Sequence, residues 1–318
     1  QSVIYLYYLV HYNYKKIPLR VYNGFNLVIT LYNEENIYRS LELMLCLLEN
    51  ANNCNISNIY ILYQNDNRIS IMRELLSILQ KNITFITVTD TFDRPTFTDI
   101  FDYCNNNIIG KIIFSNSDIV YDHTLNKISD MNDEIFFSIT RQNRTIDEHN
   151  KVVWKISELD ISYDENKNKS TVHVSPRLPK NEPKISNRNN YTTKKNANYL
   201  NIFSQDTWIF VSPLKYQLKN PKQIGSFFCD SVMNYYLSLS KFLCYNLSYD
   251  INCHHIQKNM SHSEYINSNP AKLRYEWKKT CETLGTSKFA VGLHITPISN
   301  YYRKKKSMFT DWDTFIVS

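Results

Sequence analysis

Short apolar runs recur along the first half of the chain, and polar segments separate them. The runs are rich in β-branched and aromatic residues, which is typical of strands that are buried on both faces of a sheet. They predict strands at 27–31, 58–63, 83–88, 111–115 and 134–140.

Between these runs, apolar residues return at helical spacing. Leu41, Leu45 and Leu48 predict a helix that ends near Asn50, and a similar stripe predicts one at 69–79. A third helix is predicted at 96–105, with Pro95 suited to its first turn. Alternating strands and helices favour an α/β fold with a mainly parallel sheet and helices on both faces.

The second half is less regular. Residues 165–198 are polar, rich in Asn, Lys and Pro, and predict a long loop that either covers a site as a lid or has no role. Further predictions are a strand at 206–211, a helix at 226–240 with Val232, Tyr236 and Leu239 on one side, short strands at 242–246 and 249–255, and a helix at 272–284.

Composition excludes several classes of protein. With only Gly 5 in 318 residues, the chain has neither a dinucleotide-binding glycine motif nor a Walker A loop. The glycine-rich opening expected of a sugar-phosphate nucleotidyltransferase is missing too. The net charge of +6 suits an anionic ligand, although basic runs are usually solvated faces.

The cysteines and the apolar start give hints about the compartment. Seven cysteines without a Cys-x-x-Cys pair argue against structural zinc and favour free thiols in a reducing compartment. The apolar run at 3–10 is far shorter than the ~20 residues of a membrane span, and it lacks the charged start of a signal peptide. We expect a linker or an extension over residues 1–24.

An aspartate follows the fourth predicted strand directly, in Asn116-Ser117-Asp118. The carboxyl ends of strands in an open α/β sheet border the crevice where ligands bind. Hard divalent cations prefer carboxylate oxygen there. The alternative is a loop aspartate that caps the next helix.

Four further segments accompany this motif in a fixed order. They are Arg94-Pro95-Thr96-Phe97, the stretch 204–210, the stretch 225–230 that ends in Cys229-Asp230, and His254-His255. As an ordered set they resemble GT-A glycosyltransferases of large viruses and microbes. The resemblance covers about 25–265, with a nucleotide-binding half at 25–140, an acceptor half at 199–265 and a C-terminal extension at 266–318.

The resemblance implies a metal-dependent transfer from a nucleotide sugar, with UDP as the expected nucleotide, to a glycan or glycoprotein acceptor. Asn116 replaces the first Asp of the D-x-D motif, so the metal would rest on Asp118 and on a late histidine. His255 is preferred to His254 because it falls on the strand side of Ile251 and Cys253. The expected ion is Mn²⁺, with Mg²⁺ as the alternative.

Inversion of the sugar is expected, since a candidate base exists and no nucleophile is evident. Asp230 is the first choice for the general base, and its alternative is a helix N-terminal aspartate. Asp206 competes for that role and, with Trp208, is expected to bind the acceptor. Its alternative is a strand-edge aspartate beside a core tryptophan.

Donor contacts are expected mainly at the ends of the first strands and the metal motif. Arg94 is one of them, or else a surface partner of Asp93 or Asp99. The full predicted set is Thr30, Tyr32, Asn33, Glu35, Asp66, Arg94, Asn116, Ser117, Asp118 and Arg141.

Two other functions stay open at this point. Basic segments with tyrosines, at 187–199 and 301–306, allow a nucleic-acid-binding module, although the carboxylates at the strand ends disfavour it. Asn116 and Cys229 allow a sugar-binding protein without catalysis. A cytoplasmic location is expected, or the virion for a viral protein, and the oligomeric state is left open.

Overall fold

The computed structural model describes the chain in separate segments. They are residues 24–31, 37–63, 73–74, 76–77, 82–87, 94–128, 130–143, 154–156, 159–164, 169–174, 205–248, 250–256, 270–286, 291–293, 298–302 and 309–311.

A seven-stranded sheet forms the centre of the molecule. Its strands are β1 (Phe25–Leu31), β2 (Ile56–Tyr63), β3 (Asn82–Thr87), β4 (Gly110–Ser115), β6 (Ile135–Thr140), β11 (Gln205–Ser212) and β12 (Leu243–Tyr245), in the spatial order β12-β6-β11-β4-β1-β2-β3. Neighbours pair in parallel except at β11, which runs antiparallel to both β4 and β6. The predicted α/β class with a mixed, mainly parallel sheet is confirmed.

Helices cover both faces of this sheet. The helices are α1 (Ile37–Asn52), α2 (Phe97–Asn107), α3 (Cys229–Leu239), α4 (Pro270–Leu284) and α5 (Ile298–Tyr302). Leu47 of α1 packs in one apolar cluster with Leu27 and Ile29 of β1. Phe101 of α2 and Met233 of α3 pack in a second cluster, on the opposite face. Side chains alternate along a strand, so each strand contributes to both clusters.

Three smaller sheets accompany the central one. The first has the order β5-β13-β7 and is formed by β5 (Ile119–Tyr121), β7 (Gln142–Asn143) and β13 (Cys253–His255). The second has the order β10-β9-β8 and is formed by β8 (Trp154–Ile156), β9 (Leu159–Asp164) and β10 (Lys169–Val174). The third pairs β14 (Val291–Leu293) with β15 (Phe309–Asp311).

A capping box starts α2. The Thr96 hydroxyl accepts from the Asp99 amide at 3.2 Å, and the Asp99 carboxylate accepts from the Thr96 amide at 2.7 Å. Pro95 therefore lies before the cap and not in the first turn, which corrects that detail of the sequence analysis. The residues on either side of the cap bind the loop before α3, since the Phe97 amide donates to the Lys222 carbonyl at 3.2 Å.

An asparagine ladder links the start of three parallel strands. Asn26 of β1, Asn58 of β2 and Asn82 of β3 are in register. The Asn58 amide donates to the Asn26 side-chain oxygen at 2.7 Å, and the Asn82 amide donates to Asn58 at 3.1 Å. The Asn26 amide donates in turn to the Lys111 carbonyl of β4 at 3.3 Å, so the ladder reaches a fourth strand.

Two sequence predictions for the second half need correction. Lys169–Val174 lies inside the predicted loop but forms β10. Its backbone pairs with β9 and so forms a strand that the apolar pattern of the sequence does not indicate. Leu239 was grouped with Val232 on one side of this helix, yet 66% of its surface is exposed, and the buried residues of α3 include Val232, Met233 and Leu237. The predicted helix at 69–79 and the part of the predicted loop beyond 174 lie mostly outside the described residues.

The late part of the chain joins the same core. Leu293 of β14 is fully buried in the cluster that holds α2 and α3, and its carbonyl accepts from the Asn246 side chain at 3.1 Å. Among the helices that the structure describes, none is both long and apolar enough to span a bilayer.

Candidate functional site

One edge of the central sheet gathers most of the predicted site. β1, β4 and β6 are parallel, so their carboxyl ends meet at that edge. Because β11 is antiparallel, its first residues lie there too. The edge thereby brings together Asn116 after β4, Arg141 after β6 and Asp206 in β11.

A β-bulge places Asp206. Gln205 pairs with Thr140 and Thr207 pairs with Ile139, so Asp206 is an extra residue between two successive pairs. Bulges re-aim side chains and are frequent beside active sites. The Asp206 carboxylate accepts from the Asn116 side-chain amide at 2.7 Å, and its carbonyl accepts from the Asn116 backbone amide at 3.2 Å.

Arg141 is the cation of the site. Its Nη1 lies 2.8 Å from Asp206 Oδ2, and Asp206 is almost fully buried. The negative charge of Asp206 raises the pKa of Arg141 above its ordinary value, burial opposes this, and Asp230 and Asp118 add to the rise. Three carboxyl groups therefore influence one guanidinium, and that of Asp206 is in direct contact with it.

Asp118 and His255 meet on the small sheet that adjoins this edge. β13 pairs with β5 so that His255 lies opposite Ile119, next to Asp118. His255 Nε2 lies 3.2 Å from Asp118 Oδ2 and 3.5 Å from Arg141 Nη1. Protonated at Nε2, the imidazole donates to Asp118; without that proton it accepts from Arg141.

This pair fits a divalent cation. Adjacent ligands of an octahedral ion with bonds of ~2.1 Å lie about 3 Å apart, close to the observed separation of the two atoms. A carboxylate and a neutral imidazole also suit manganese. Within the described ranges no group of three or more His, Cys, Asp or Glu is assembled for a metal. Substrate oxygens and water would have to supply the other ligands.

His254 points to a different partner. Its Nε2 lies 3.4 Å from Asp122 Oδ2, and Asn252 donates to the same oxygen at 2.8 Å. Burial alone would raise the pKa of Asp122, but hydrogen bonds from His254, Asn252 and Thr124 hold it well below its usual range. Strand alternation thus sends the two adjacent histidines to different carboxylates.

Asp230 occupies the first turn of α3. Burial, followed by the nearby negative charge of Asp206, raises the pKa of Asp230 to about 8. The Cys229 thiol donates to Asp230 Oδ1 at 3.0 Å. Burial and the adjacent carboxyl group raise the pKa of that thiol well above its ordinary value, so Cys229 acts as a hydrogen-bond donor and not as a thiolate.

A buried hydrogen-bond chain runs behind these groups. Asn234 donates to Gln205 at 2.7 Å, Gln205 donates to Thr140 at 3.4 Å, and Asn246 donates to Thr140 at 2.8 Å. Ser138 joins by donating to Asn234 at 2.9 Å. Gln205 precedes Asp206, Thr140 precedes Arg141, and Asn234 lies one turn after Asp230. The chain therefore fixes the backbone that carries each charged group.

Other predicted site residues lie elsewhere or make other contacts. Trp208 is fully buried, with ring centroids 4.8 Å from Phe97 and 5.4 Å from Phe114, so it offers no ring face to an acceptor. The alternative interpretation, a core tryptophan, describes it. Arg94 donates to the Gly225 carbonyl at 2.8 Å and thereby holds the loop before α3.

The remaining donor predictions divide into two groups. Ser117 is buried beside the metal pair, and Thr30 lies near the end of β1 at the same edge of the sheet. Tyr32, Asn33, Glu35 and Asp66 lie outside the described residues.

Sequence reasoning missed the groups that support the charges. It attached no role to Gln205, Asn234 or Thr140, although two of the three adjoin a predicted site residue. A polar residue in an otherwise apolar strand or helix face, such as Gln205 before 206–211, is the signal that marks them. The bulge at Asp206 has no such signal, because one extra residue leaves an apolar run unchanged.

Comparison with known proteins gives distant fold similarity only. No protein-family model and no curated protein matches the sequence. The solved structure of S. aureus TarS residues 1–349 matches with a TM-score of 0.35 and 13% identity over 74% of this chain and 58% of that one. A mannosyltransferase from Pyrobaculum calidifontis, in complex with GDP-Man and Mn²⁺, matches with a TM-score of 0.29 and 12% identity over 44% of both chains.

A third structure is similar at the same level. It is the 4-diphosphocytidyl-2C-methyl-D-erythritol synthase from Anaerococcus prevotii, with a TM-score of 0.31 and 9% identity over 68% of this chain and 75% of that one. All three TM-scores lie below 0.5, so the fold class given above rests on the strand order and strand directions of this chain.

Proposed function

We propose that this protein is a glycosyltransferase that moves a sugar from a nucleotide-diphosphate donor, with UDP the first nucleotide to test, to an acceptor hydroxyl. One observation carries the proposal: a metal-compatible pair, Asp118 and His255, lies beside Arg141 at the ligand-binding edge of an α/β sheet, and a carboxyl group with a raised pKa, Asp230, shares that cation.

The nucleotide-sugar donor would be bound by Asp118, His255 and Arg141. Asp118 and His255 would hold a divalent ion, and a bound ion would neutralise charge on the departing diphosphate. Arg141 lies 3.5 Å from the imidazole and presents guanidinium donors to anionic oxygens. The orientation of this cation comes from its contact with Asp206, which makes Asp206 a positioning residue.

The acceptor hydroxyl would be deprotonated by Asp230. As the acceptor oxygen attacks the anomeric carbon, Asp230 takes the hydroxyl proton, and the bond between that carbon and the diphosphate oxygen breaks. A single displacement of this kind inverts the anomeric carbon. A carboxyl group with a pKa of about 8 is a stronger base than an ordinary aspartate, provided that the pH is high enough to ionise it.

A sugar-binding protein without catalysis is the second candidate, and one contact favours it. Asn116 stands where a D-x-D motif has its first carboxylate, and its side chain is already committed to Asp206 at 2.7 Å. An amide brings no negative charge, so Asp118 supplies the one carboxylate of the metal pair. This candidate binds the nucleotide sugar in the same way but releases no UDP.

The experiment measures binding and turnover separately. Thermal unfolding is followed with UDP, GDP, CDP and TDP, each with and without Mn²⁺, and UDP release is followed with a panel of UDP-sugars. A ligand at one hundred times its dissociation constant stabilises the folded state by about 2.7 kcal/mol. We expect a shift that requires both UDP and Mn²⁺ and that disappears in Asp118→Ala.

Asp102→Ala is the matched control, since Asp102 is an exposed carboxylate on α2. It should keep the full shift. A shift without UDP release supports the non-catalytic candidate, and no shift with any nucleotide contradicts both candidates.

A further inference from the structure

A cluster of aromatic side chains adjoins Asp230 and has no part in the mechanism above. Phe227 and Phe228 directly precede α3, with ring centroids 6.4 Å apart, and Trp277 of α4 meets Phe228 edge-on at 5.4 Å. All three keep some exposed surface. Phe227 and Phe228 lie within one helical turn of Asp230 along the chain.

The backbone at this cluster is strained. Phe228 caps α3 with φ 61° and makes no side-chain capping bond. A left-handed conformation is a true outlier for a bulky residue, and such strain concentrates at ligand-binding and catalytic sites. Glycine or asparagine would hold this turn with less strain, so the turn alone does not account for an aromatic side chain there.

Neighbouring segments hold the strained loop in place. Arg94 donates to the Gly225 carbonyl at 2.8 Å, and the Ile224 amide donates to the Pro95 carbonyl at 3.0 Å. Gly225 is itself left-handed, with φ 70°. Two left-handed residues thus lie within four positions, and the contacts of Ile224 and Gly225 anchor the loop to the segment before α2.

One lysine lies over a ring of the aromatic cluster, and a second binds α4 one turn beyond Trp277. Lys272 Nζ lies 5.6 Å from the centre of the Phe227 ring, and Lys222 Nζ donates to Thr280 Oγ1 at 3.2 Å. Burial lowers the pKa of Lys222, and the nearby Lys279 adds to the effect, while Glu276 opposes it. Lys222 of the loop, with Lys272 and Lys279 of α4, outnumbers Glu276 here, and a partly desolvated lysine gains from an anionic partner.

We propose that Phe227, Phe228 and Trp277, together with Lys222 and Lys272, form the acceptor-binding surface, and that the acceptor is a carbohydrate that carries a negative charge. The inference rests on the proposed role of Asp230, whose hydroxyl substrate must lie beside α3. Exposed aromatic rings pack against the apolar face of a sugar ring, and the ammonium groups pair with its carboxylate, sulfate or phosphate.

The test is binding, measured by calorimetry on the whole chain without a donor. The probes are a tetragalacturonate for carboxylate, a 6-sulfated chondroitin tetrasaccharide for sulfate, and maltotetraose as the neutral oligosaccharide. We expect either anionic probe to bind at least tenfold more tightly than maltotetraose. Equal affinities, or no binding of any oligosaccharide, would overturn the inference.

An eight-nucleotide oligothymidylate is included because basic aromatic surfaces also bind single-stranded nucleic acid. Tighter binding of this probe than of both anionic sugars would overturn the inference as well. Titration with UDP and Mn²⁺ on the same sample separates the two proposals. If UDP with Mn²⁺ binds but no oligosaccharide does, the proposed acceptor surface is wrong and the proposed donor site stands. If neither UDP nor any oligosaccharide binds, the proposed function is wrong as well.

Matched variants locate the surface. Lys272→Gln should weaken the anionic probe about three- to fivefold. Lys278→Gln makes the same charge change six residues further on, about 120° around α4 from Lys272, and should leave affinity unchanged. Phe228→Asn keeps a residue that tolerates the left-handed turn, and it should lose about tenfold in affinity while Phe228→Tyr retains it. Equal effects of the two lysine changes would place the probe elsewhere.

Discussion

Arg141 Nη1 lies 2.8 Å from Asp206 Oδ2, and this contact joins the end of β6 to the bulge in β11. The side chain of Asp206 is 4% exposed and that of Arg141 is 31% exposed. The pair therefore keeps an almost fully buried anion away from water and leaves part of the guanidinium exposed at the carboxyl ends of the strands. Both the stability and the chemistry of the site depend on it.

Substitutions of Arg141 and Asp206 should each lower the free energy of unfolding, and the effect of the double variant should differ from the sum of the two. Arg141→Gln leaves a buried carboxylate without its cation and should lower the free energy of unfolding by about 3 kcal/mol, the lower end for buried pairs, since Arg141 is partly exposed. Asp206→Asn should cost less, because Asp230 and Asp118 still face the guanidinium. Urea unfolding of both variants and of the double variant measures the coupling. Strict additivity would mean that the contact contributes no coupling energy.

The raised pKa of Asp230 predicts a definite pH dependence. Its pKa is about 8 in the folded protein and near 3.8 in the unfolded chain, so the folded state binds more protons between these values. The free energy of unfolding should therefore fall as the pH rises from about 4 to about 8, by at most about 1.4 kcal/mol per pH unit from this group. Asp230→Asn should flatten that part of the curve.

Asp122 does not interfere with that measurement, since its lowered pKa places its titration below pH 4. A curve that keeps its slope in the Asn variant would assign the effect to another group. For the proposed transferase, kcat/KM should rise with pH toward 8, because the base must be ionised, and Asp230→Asn should remove both the rise and most of the activity.

The adjacent histidines provide a matched pair for the metal site. His255→Ala should abolish the Mn²⁺-dependent stabilisation by UDP, because it would remove one of the two proposed protein ligands. His254→Ala should keep that stabilisation and should raise the pKa of Asp122 toward its ordinary value. Thermal shift with Mn²⁺ and UDP distinguishes them. Loss of the shift in His254→Ala alone would reverse the assignment.

Leu293 tests whether the late segment belongs to the folded core. Leu293→Ala should lower the free energy of unfolding by about 2–5 kcal/mol, since the side chain is fully buried. Leu239→Ala removes the same atoms from a position that is 66% exposed and should change stability by less than about 0.5 kcal/mol. A comparably small effect of both would show that β14 contributes little to the core.

The strands were predictable because buried parallel strands are continuous apolar runs. The five predicted strands of the first half begin within two residues of their observed starts and end within one of their observed ends. The same property hides the direction of a strand. Nothing in 206–211 indicates that β11 runs antiparallel, yet that reversal brings Asp206 to the site.

Side-chain roles were harder to predict than elements. The position of Asn116 to Asp118 at a strand end and the different directions of His255 and His254 were predictable from strand alternation, while their roles stay predictions. Trp208 was misjudged because a tryptophan beside an aspartate looks the same in sequence whether it faces a ligand or the core. Only the packing against Phe97 and Phe114 separates the two cases.

The asparagine ladder at the far end of the strands has a consequence for the length of each strand. From Asn26 to Leu31, from Asn58 to Tyr63 and from Asn82 to Thr87 the residue count is the same, and these end residues are in register. The side-chain amide contacts therefore favour one register among the three strands, and each strand ends the same number of residues after its asparagine. A single inserted residue in one strand would displace its end by about 3.3 Å or break the amide contacts. The carboxyl ends of these strands, where the proposed donor site lies, are thus aligned by contacts at the opposite ends of the same strands.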